Sequence, residues 1–194
     1  MIAFLKGSFV RKTPALVHVD VNGVGYELHI SLNTYSSISN QDQGLLHTYF
    51  HVREDAQVLY GFYEEAEKEM FIQLISVSGV GAATARMMLS SLRPADISKA
   101  IVQGDTRLLE SIKGIGRKSA ERIVLELRDK VGKVPLGSNN EALINNTLDQ
   151  DALNALIALG INRSAGEQAI GRVKKSNPEL HKIEDIIKQA LKNI

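Results

Sequence analysis

Two stretches of the chain repeat one pattern of glycines, and this pattern is typical of a turn that binds an oxyanion. A shift of 35 residues aligns residues 74–85 (LISVSGVGAATA) with residues 109–120 (LESIKGIGRKSA), and each copy has an apolar residue between two glycines. Glycines allow peptide N–H groups to approach a ligand closely, and a following helix presents free N–H groups and a positive dipole end. The repeat therefore predicts two phosphate-binding turns in a tandem helix-hairpin-helix.

The apolar residues between the glycines, Val80 and Ile115, are expected to insert into the core and hold each turn in place. Arg117, Lys118 and Arg122 follow the second turn and should add positive charge beside it. Ala82 and Ala83 follow the first turn. Because no side chain is expected to contact a base, the contact should be to the DNA backbone and independent of base sequence. The candidate DNA-backbone residues are Gly79, Val80, Gly81, Lys113, Gly114, Ile115, Gly116, Arg117, Lys118, Ser119 and Arg122.

Glycine pairs also occur in nucleotide sites and in plain connections between helices. A dinucleotide fingerprint needs a third glycine and a preceding strand, but Thr84 and Ser119 occupy the third-glycine positions and helical patterns precede both copies. A P-loop needs glycine where Arg117 stands. These two nucleotide motifs are excluded. A tight helix connection remains the alternative, although the duplication favours phosphate binding.

The charge of the chain is unevenly distributed. The formal net charge is only +1, and a strong polyanion binder usually has a larger positive excess. Residues 1–64 carry 4 basic and 6 acidic side chains, residues 65–135 carry 12 and 9, and residues 136–194 carry 7 and 7. The positive excess therefore lies in the segment that contains the glycine repeat.

Composition excludes several classes of protein. The chain has no cysteine, so disulfides and thiolate metal sites are excluded. No apolar run approaches the roughly 20 residues of a membrane-spanning helix, and we expect a cytoplasmic protein. The histidines His18, His29, His47 and His51 lack the spacing of metal ligands and are expected to be ordinary barrel residues.

The N-terminal segment is rich in the β-branched and aromatic residues of strands. Asn22-Gly23 between two such runs is a good hairpin signal, because both residues tolerate positive φ. Five short strands predict a small closed or nearly closed barrel. The expected strands are 4–10, 15–21, 24–30, 45–52 and 57–63.

The remainder of the chain has the patterns of helices and of one linker. Apolar residues three and four apart predict helices over 64–92 and 97–130. Residues that break helices then accumulate in 132–140 (GKVPLGSNN) and 145–147 (NNT). Their composition favours a flexible linker over an ordered surface loop. Three short C-terminal helices are expected at about 149–159, 164–173 and 183–192, with Gly160 ending the first. The expected domains are 1–63, 64–132, the linker 133–147, and 148–194. The last is small enough to be only marginally stable alone, and we expect it to work against a partner.

The order of these parts resembles the RuvA family, the junction-binding subunits of the bacterial branch-migration machinery. The resemblance covers essentially the whole chain. Its most specific part is the segment 51–62 (HVREDAQVLYGF), and the segments 113–122 (KGIGRKSAER) and 155–160 (ALIALG) support it.

The resemblance implies a multidomain α and β protein with an OB-type barrel, a tandem helix-hairpin-helix domain, a flexible linker and a UBA-like three-helix bundle. It implies a homotetramer, or a double tetramer, that holds a four-way Holliday junction flat and open in recombination and DNA repair. A hexameric ATPase of the RuvB type would draw the arms through, and a resolvase of the RuvC type would cut the junction. The chain would need no cofactor and would have no catalytic residue, because ATP hydrolysis would belong to the partner.

The resemblance also gives a role to two carboxylates in a polar hairpin. Glu54 and Asp55 correspond to an acidic pin at the tetramer centre, where four copies would place their carboxylates beside the crossover. Since like charges repel, the pin would oppose crowding of strands at the centre while the glycine turns attract the arms. Without the resemblance, the pair would be an ordinary exposed turn.

Apolar residues near the end of the first C-terminal helix correspond to the family's contact with the ATPase. These residues are Leu156, Leu159 and Ile161, and Ile161 stands where some relatives have an aromatic residue. The alternative is that they form the core of the bundle, because so small a bundle needs most of its leucines.

Two functions of other classes remain as alternatives. The first is a helix-hairpin-helix DNA repair nuclease or glycosylase, or its non-catalytic subunit, for which Asp105 and Glu110 are the available but isolated carboxylates. The second is an RNA-binding barrel, which would favour exposed aromatic residues for base stacking. Tryptophan is absent and aromatic residues make up 5% of the chain, which disfavours the RNA-binding barrel.

Overall fold

The computed structural model describes residues 1–54, 56–131, 143–177, 180 and 182–193, and for 143–147 it describes the backbone only. The chain divides into two compact units, Met1–Leu136 and Gly137–Ile194. In the described part of the chain, no helix is both long and apolar enough to cross a membrane.

The first unit begins with a closed five-strand barrel, as the sequence predicts. The strand order around the barrel is β1-β2-β3-β5-β4, and only the β3–β5 pair is parallel among the described pairs. The strands are β1 (Phe4–Lys12), β2 (Leu16–Val21), β3 (Val24–Ile30), β4 (Gln43–Val52) and β5 (Gln57–Phe62).

The turn between β2 and β3 has the predicted geometry. Asn22 and Gly23 have φ of 52° and 87°, and Val21 pairs directly with Val24. Positive φ at both central residues matches the right-handed twist of the two strands. The N–H of Gly23 also donates to Oδ1 of Asp20 at 2.8 Å.

A short helix that the sequence did not predict, α1 (Leu32–Ile38), connects β3 to β4. Ser31 caps it by accepting a hydrogen bond from the N–H of Thr34 at 3.0 Å. At its other end, Nζ of Lys12 contacts the carbonyls of Ser39 and Gln41 at 3.0 and 2.6 Å. A cation at the last carbonyls stabilises the negative end of the helix.

Five helices follow the barrel in the region where the sequence predicts helices. They form two hairpins, α2 with α3 and α5 with α6, and α4 connects the hairpins. The helices are α2 (Glu65–Ile75), α3 (Ala82–Ser91), α4 (Pro94–Gln103), α5 (Thr106–Glu110) and α6 (Arg117–Val131).

The five helices share a core with the end of one barrel strand, β5, whereas the inside of the barrel has a core of its own. Phe71 of α2 packs against Tyr60 and Phe62 of β5, with ring centroids 4.9 and 5.0 Å apart. Asn33 of α1 makes a second connection, since its Nδ2 donates to the carbonyls of Leu89 at 2.6 Å and Leu92 at 3.1 Å. The first hairpin is therefore attached firmly to the barrel.

The second unit is a three-helix bundle, as predicted, formed by α7 (Leu143–Ala158), α8 (Arg163–Ser176) and α9 (Ile183–Lys192). Gly160 has φ of 89° just after α7, and Asn162 caps α8 by accepting from the N–H of Ser164. Helix α7 begins at Leu143, five residues before the end of the expected linker. The rest of that linker, 133–142, lies outside the described residues.

Candidate nucleic-acid interface

The two glycine turns have the same hydrogen bonds, and this confirms the duplication. In each copy, three backbone N–H groups close the hairpin. They belong to a serine before the turn, to the residue between the glycines, and to an alanine one turn into the next helix. The bonds of the first turn are Ser76 N to Ile72 O at 3.2 Å, Val80 N to Val77 O at 3.0 Å and Ala85 N to Gly81 O at 2.9 Å. Those of the second are Ser111 N to Arg107 O at 3.1 Å, Ile115 N to Ile112 O at 3.0 Å and Ala120 N to Gly116 O at 3.0 Å.

The first glycine of each turn has a backbone conformation that other residues rarely adopt. Gly79 and Gly114 have φ of 89° and 94°. The second glycines, Gly81 and Gly116, have no positive φ, and a Cβ at either would meet nothing within 4 Å. All four are exposed, so the turns are open to a ligand.

Val80 and Ile115 are buried in the core beneath the turns, as expected. Ala85 and Ala120, one turn into α3 and α6, have no exposed surface. Small residues there let the helices of each hairpin pack closely, and the apolar anchor fixes the turn over them.

The second turn is surrounded by exposed cations. Lys113 precedes its first glycine, and Arg117 and Lys118 begin α6, with Ser119 half-buried behind them. Nε of Arg117 donates to Oε1 of Glu121 at 2.9 Å, and this bond raises the pKa of Arg117. The arginine side chain remains 80% exposed, so it is accessible to a phosphate.

Arg122 contacts the first turn, although the sequence placed it beside the second. Its Nη1 donates to the carbonyl of Ser78 at 3.1 Å and lies 4.0 Å from where a Cβ of Gly79 would be. Distance along the chain could not indicate this contact, because α6 brings Arg122 back against the other hairpin.

Arg86, the basic residue of α3 in the first hairpin, contacts the barrel. Nη1 of Arg86 on α3 contacts the carbonyl of Ala15 at 3.2 Å and Nδ1 of His29 at 3.1 Å. Burial and the nearby Arg86 lower the pKa of His29, so the neutral imidazole accepts this hydrogen bond. Arg86 therefore joins the hairpin to the barrel.

Glu54 is exposed in the loop between β4 and β5, where the sequence placed it, and Asp55 lies outside the described residues. The N–H of Arg53 donates to the carbonyl of Ala56 at 2.8 Å and closes this loop. The guanidinium of Arg53 turns back along β4, and its Nε donates to Nε2 of His51 at 2.9 Å.

The three apolar residues assigned to a partner have different environments. Leu156 is completely buried in the bundle core, so a partner could not reach it. Leu159 is 63% exposed, and Ile161 is partly buried against the core. Ile157 and Leu191 are further exposed apolar residues of this unit, which the sequence did not single out.

The two carboxylates considered for an enzyme lie at the two ends of α5. Oδ1 of Asp105 accepts from the N–H of Leu108 at 3.0 Å and caps α5, while Glu110 ends that helix. Among the described residues, no group of three or more His, Cys, Asp or Glu side chains could hold a metal ion.

Three family models match the chain in the order of its parts. The model of the RuvA N terminal domain matches residues 1–61, that of the SAM-like helix-hairpin-helix tandem matches 71–129, and that of the RuvA C-terminal domain matches 148–194. The first covers the barrel, the second covers both glycine turns, and the third covers most of the bundle.

Relatives from several bacteria are similar over essentially the whole chain. A protein of Cytophaga hutchinsonii is 42% identical and one of Christiangramia forsetii is 45% identical, with 99% and 100% of each chain covered. A protein of Syntrophotalea carbinolica is 45% identical over 99% of this chain and 98% of its own. All three are named Holliday junction branch migration complex subunit RuvA. At this identity and coverage, the chain belongs to the RuvA family.

Proposed function

We propose that this protein binds four-way Holliday junctions as the RuvA subunit of a branch-migration complex in recombination and repair. The observation that supports this most directly is the duplicated turn, which offers two open sets of backbone N–H groups at helix N-termini in the same hairpin geometry. Such groups bind phosphate and do not distinguish bases. Shape therefore decides which DNA is bound.

The DNA backbone would lie over the two glycine turns. Gly81 and Gly116 immediately precede α3 and α6, and their backbone N–H groups would contact phosphate oxygens. Lys113, Arg117 and Lys118 would add charge at the second turn, and their contribution to affinity would fall as the salt concentration rises.

Glu54, together with Asp55, would form the acidic pin. A carboxylate beside a phosphate is repelled, so the pin would keep the crossing strands apart while the hairpins hold the arms. This arrangement requires several copies around one junction, and we propose a homotetramer or a double tetramer. Exposed apolar residues on β1, Phe4 and Val10, support self-association of the barrel.

The C-terminal bundle would bind the motor, a hexameric ATPase of the RuvB type. Leu159 is its most exposed apolar residue among those described, and Ile161 lies beside it in sequence. ATP hydrolysis would belong to this partner, and cleavage to a resolvase of the RuvC type. We place the activity in the cytoplasm, where bacterial DNA lies.

Incubation of the purified protein with an end-labelled four-way junction separates this function from the nuclease or glycosylase alternative. We expect a shifted complex from which intact strands are recovered under denaturing conditions. Strands cut at defined positions, with or without alkaline treatment, would favour the enzyme and contradict the proposal. The relatives' shared name, Holliday junction branch migration complex subunit RuvA, already favours the junction-binding function over the enzyme.

A further inference from the structure

The first glycine turn obtains its cation from the second hairpin. Arg122 donates from Nη1 to the carbonyl of Ser78, immediately before Gly79. Its ion pair with Glu126 is long, 3.9 Å from Nε to Oε1, and its side chain remains 52% exposed. The guanidinium is thus fixed at one nitrogen while its remaining donors stay accessible to solvent.

The first turn has no comparable group of its own among the described residues. Ala82 and Ala83 follow it where Arg117 and Lys118 follow the second turn. Arg86, on the same hairpin, is held by the barrel. The hydrogen bond that brings a cation to this turn therefore comes from α6, 44 residues further along the chain.

We infer that Arg122 completes the phosphate site of the first hairpin and fixes its position relative to the second. A guanidinium has five donors in one plane, so it can bind the Ser78 carbonyl and a phosphate oxygen at the same time. The phosphate above Gly81 would then receive backbone N–H groups from one hairpin and a charge-assisted bond from the other. This inference rests on the proposed binding of phosphate by the turns.

The two turns also offer a matched pair of variants for a double-mutant cycle. Gly81→Ala and Gly116→Ala each add one methyl group at an exposed position with open space and no positive φ. Both should fold normally and obstruct only the approach of a phosphate. Each is combined with Arg122→Ala in the full chain. Arg128→Ala, an exposed arginine of the same helix, is the control for loss of charge.

The measured quantity is the Kd for a synthetic four-way junction at two or more salt concentrations. Arg122→Ala should raise Kd at least about tenfold, because it removes a charge-assisted bond to phosphate. It should also reduce the salt slope by about 1 for each phosphate that is no longer neutralised. Arg122→Lys should restore part of the affinity, and Arg128→Ala should have a smaller effect. A purely structural role would lower thermal stability without changing the salt slope.

The cycle assigns Arg122 to one hairpin. With Gly81→Ala, the combined change in Kd should be clearly smaller than the product of the single changes, because both variants weaken the binding of the same phosphate. With Gly116→Ala, the combined change should equal the product. Coupling to Gly116 instead, additivity with both glycines, or an unchanged Kd for Arg122→Ala overturns the inference. If neither glycine variant changes Kd, the binding of phosphate by the turns is itself contradicted, and the inference fails with it.

Discussion

Thr34 donates a hydrogen bond of 2.6 Å from Oγ1 to Oε2 of Glu67, and this bond joins the barrel to the first helix of the DNA-binding region. Ser31 donates to the other oxygen of the same carboxyl group, which is only 3% exposed. Each hydroxyl also accepts a backbone N–H at 3.0 Å, from Thr34 to Ser31 and from Tyr63 to Thr34. Because α1 and α2 meet at this carboxyl group, it helps to set where the first hairpin lies on the barrel.

Replacement of Glu67 should destabilise the first unit. Glu67→Leu leaves two buried hydroxyl donors without an acceptor and should lower the free energy of unfolding by about 2–4 kcal/mol. Glu67→Gln keeps an acceptor and should cost less. Urea denaturation of the full chain measures both, and equal stabilities for the two variants and the wild type would contradict the structural role.

The stability contributed by Glu67 should depend on pH. Burial raises its pKa above the ordinary value, although the bonds from Ser31 and Thr34 oppose this shift. A raised pKa in the folded state means that the contribution is fully present below the unfolded-state pKa and is lost as pH rises through the folded-state pKa. Wild type should therefore gain stability relative to Glu67→Gln as pH falls through this window. A difference that stays flat or changes in the opposite direction would show that the pKa is not raised.

Gly114→Ala should weaken DNA binding, because Gly114 has a positive φ at a turn that is proposed to contact DNA. The same strain at a site away from the DNA should not weaken binding. Gly114→Ala forces an alanine into a left-handed conformation at the second turn, at a cost of about 1–2 kcal/mol. Gly160→Ala introduces the same kind of strain in the C-terminal bundle, where φ is 89°. Junction affinity in a gel shift should fall for Gly114→Ala and stay unchanged for Gly160→Ala. Equal effects of the two variants would argue against contact between this turn and DNA.

Charge reversal at the pin should change selectivity more than affinity. Glu54→Lys combined with Asp55→Lys would replace the proposed repulsion of the central phosphates with attraction, so binding to linear duplex should rise relative to the junction. The control is Asp151→Asn, an exposed carboxylate of the C-terminal bundle. Competition between the two DNAs measures the ratio. If the ratio and the rate of branch migration with the ATPase both match wild type, the pin has no such role.

The exposures of Leu156 and Leu159 predict different defects. Leu159→Asp should leave the bundle folded, because the side chain is exposed. It should abolish binding of the ATPase, because it puts a charge in the proposed apolar contact. Leu156→Asp should unfold the bundle, because it buries an unpaired charge. Circular dichroism and co-sedimentation with a RuvB-type ATPase distinguish the two. Normal ATPase binding by Leu159→Asp would move the contact elsewhere on this unit.

Local patterns in the sequence predicted the barrel, the helices and the glycine turns. Asn22-Gly23 and the glycine repeat are determined within a few residues by backbone conformation, so their geometry follows from residue type. Helix α1 was missed because its sequence, LNTYSSI, has weak periodicity and depends on the Ser31 cap. The contact of Arg122 and the burial of Glu67 were missed because both depend on partners more than 30 residues away in the chain.

The central claim is that the protein recognises the shape of a four-way junction. It is tested most directly by the Kd values for a four-way junction and for a linear duplex of equal length, measured at the same salt concentration with unlabelled competitor of each kind. The account predicts a Kd for the junction at least about tenfold lower than that for the duplex. Equal Kd values for the two DNAs would contradict it.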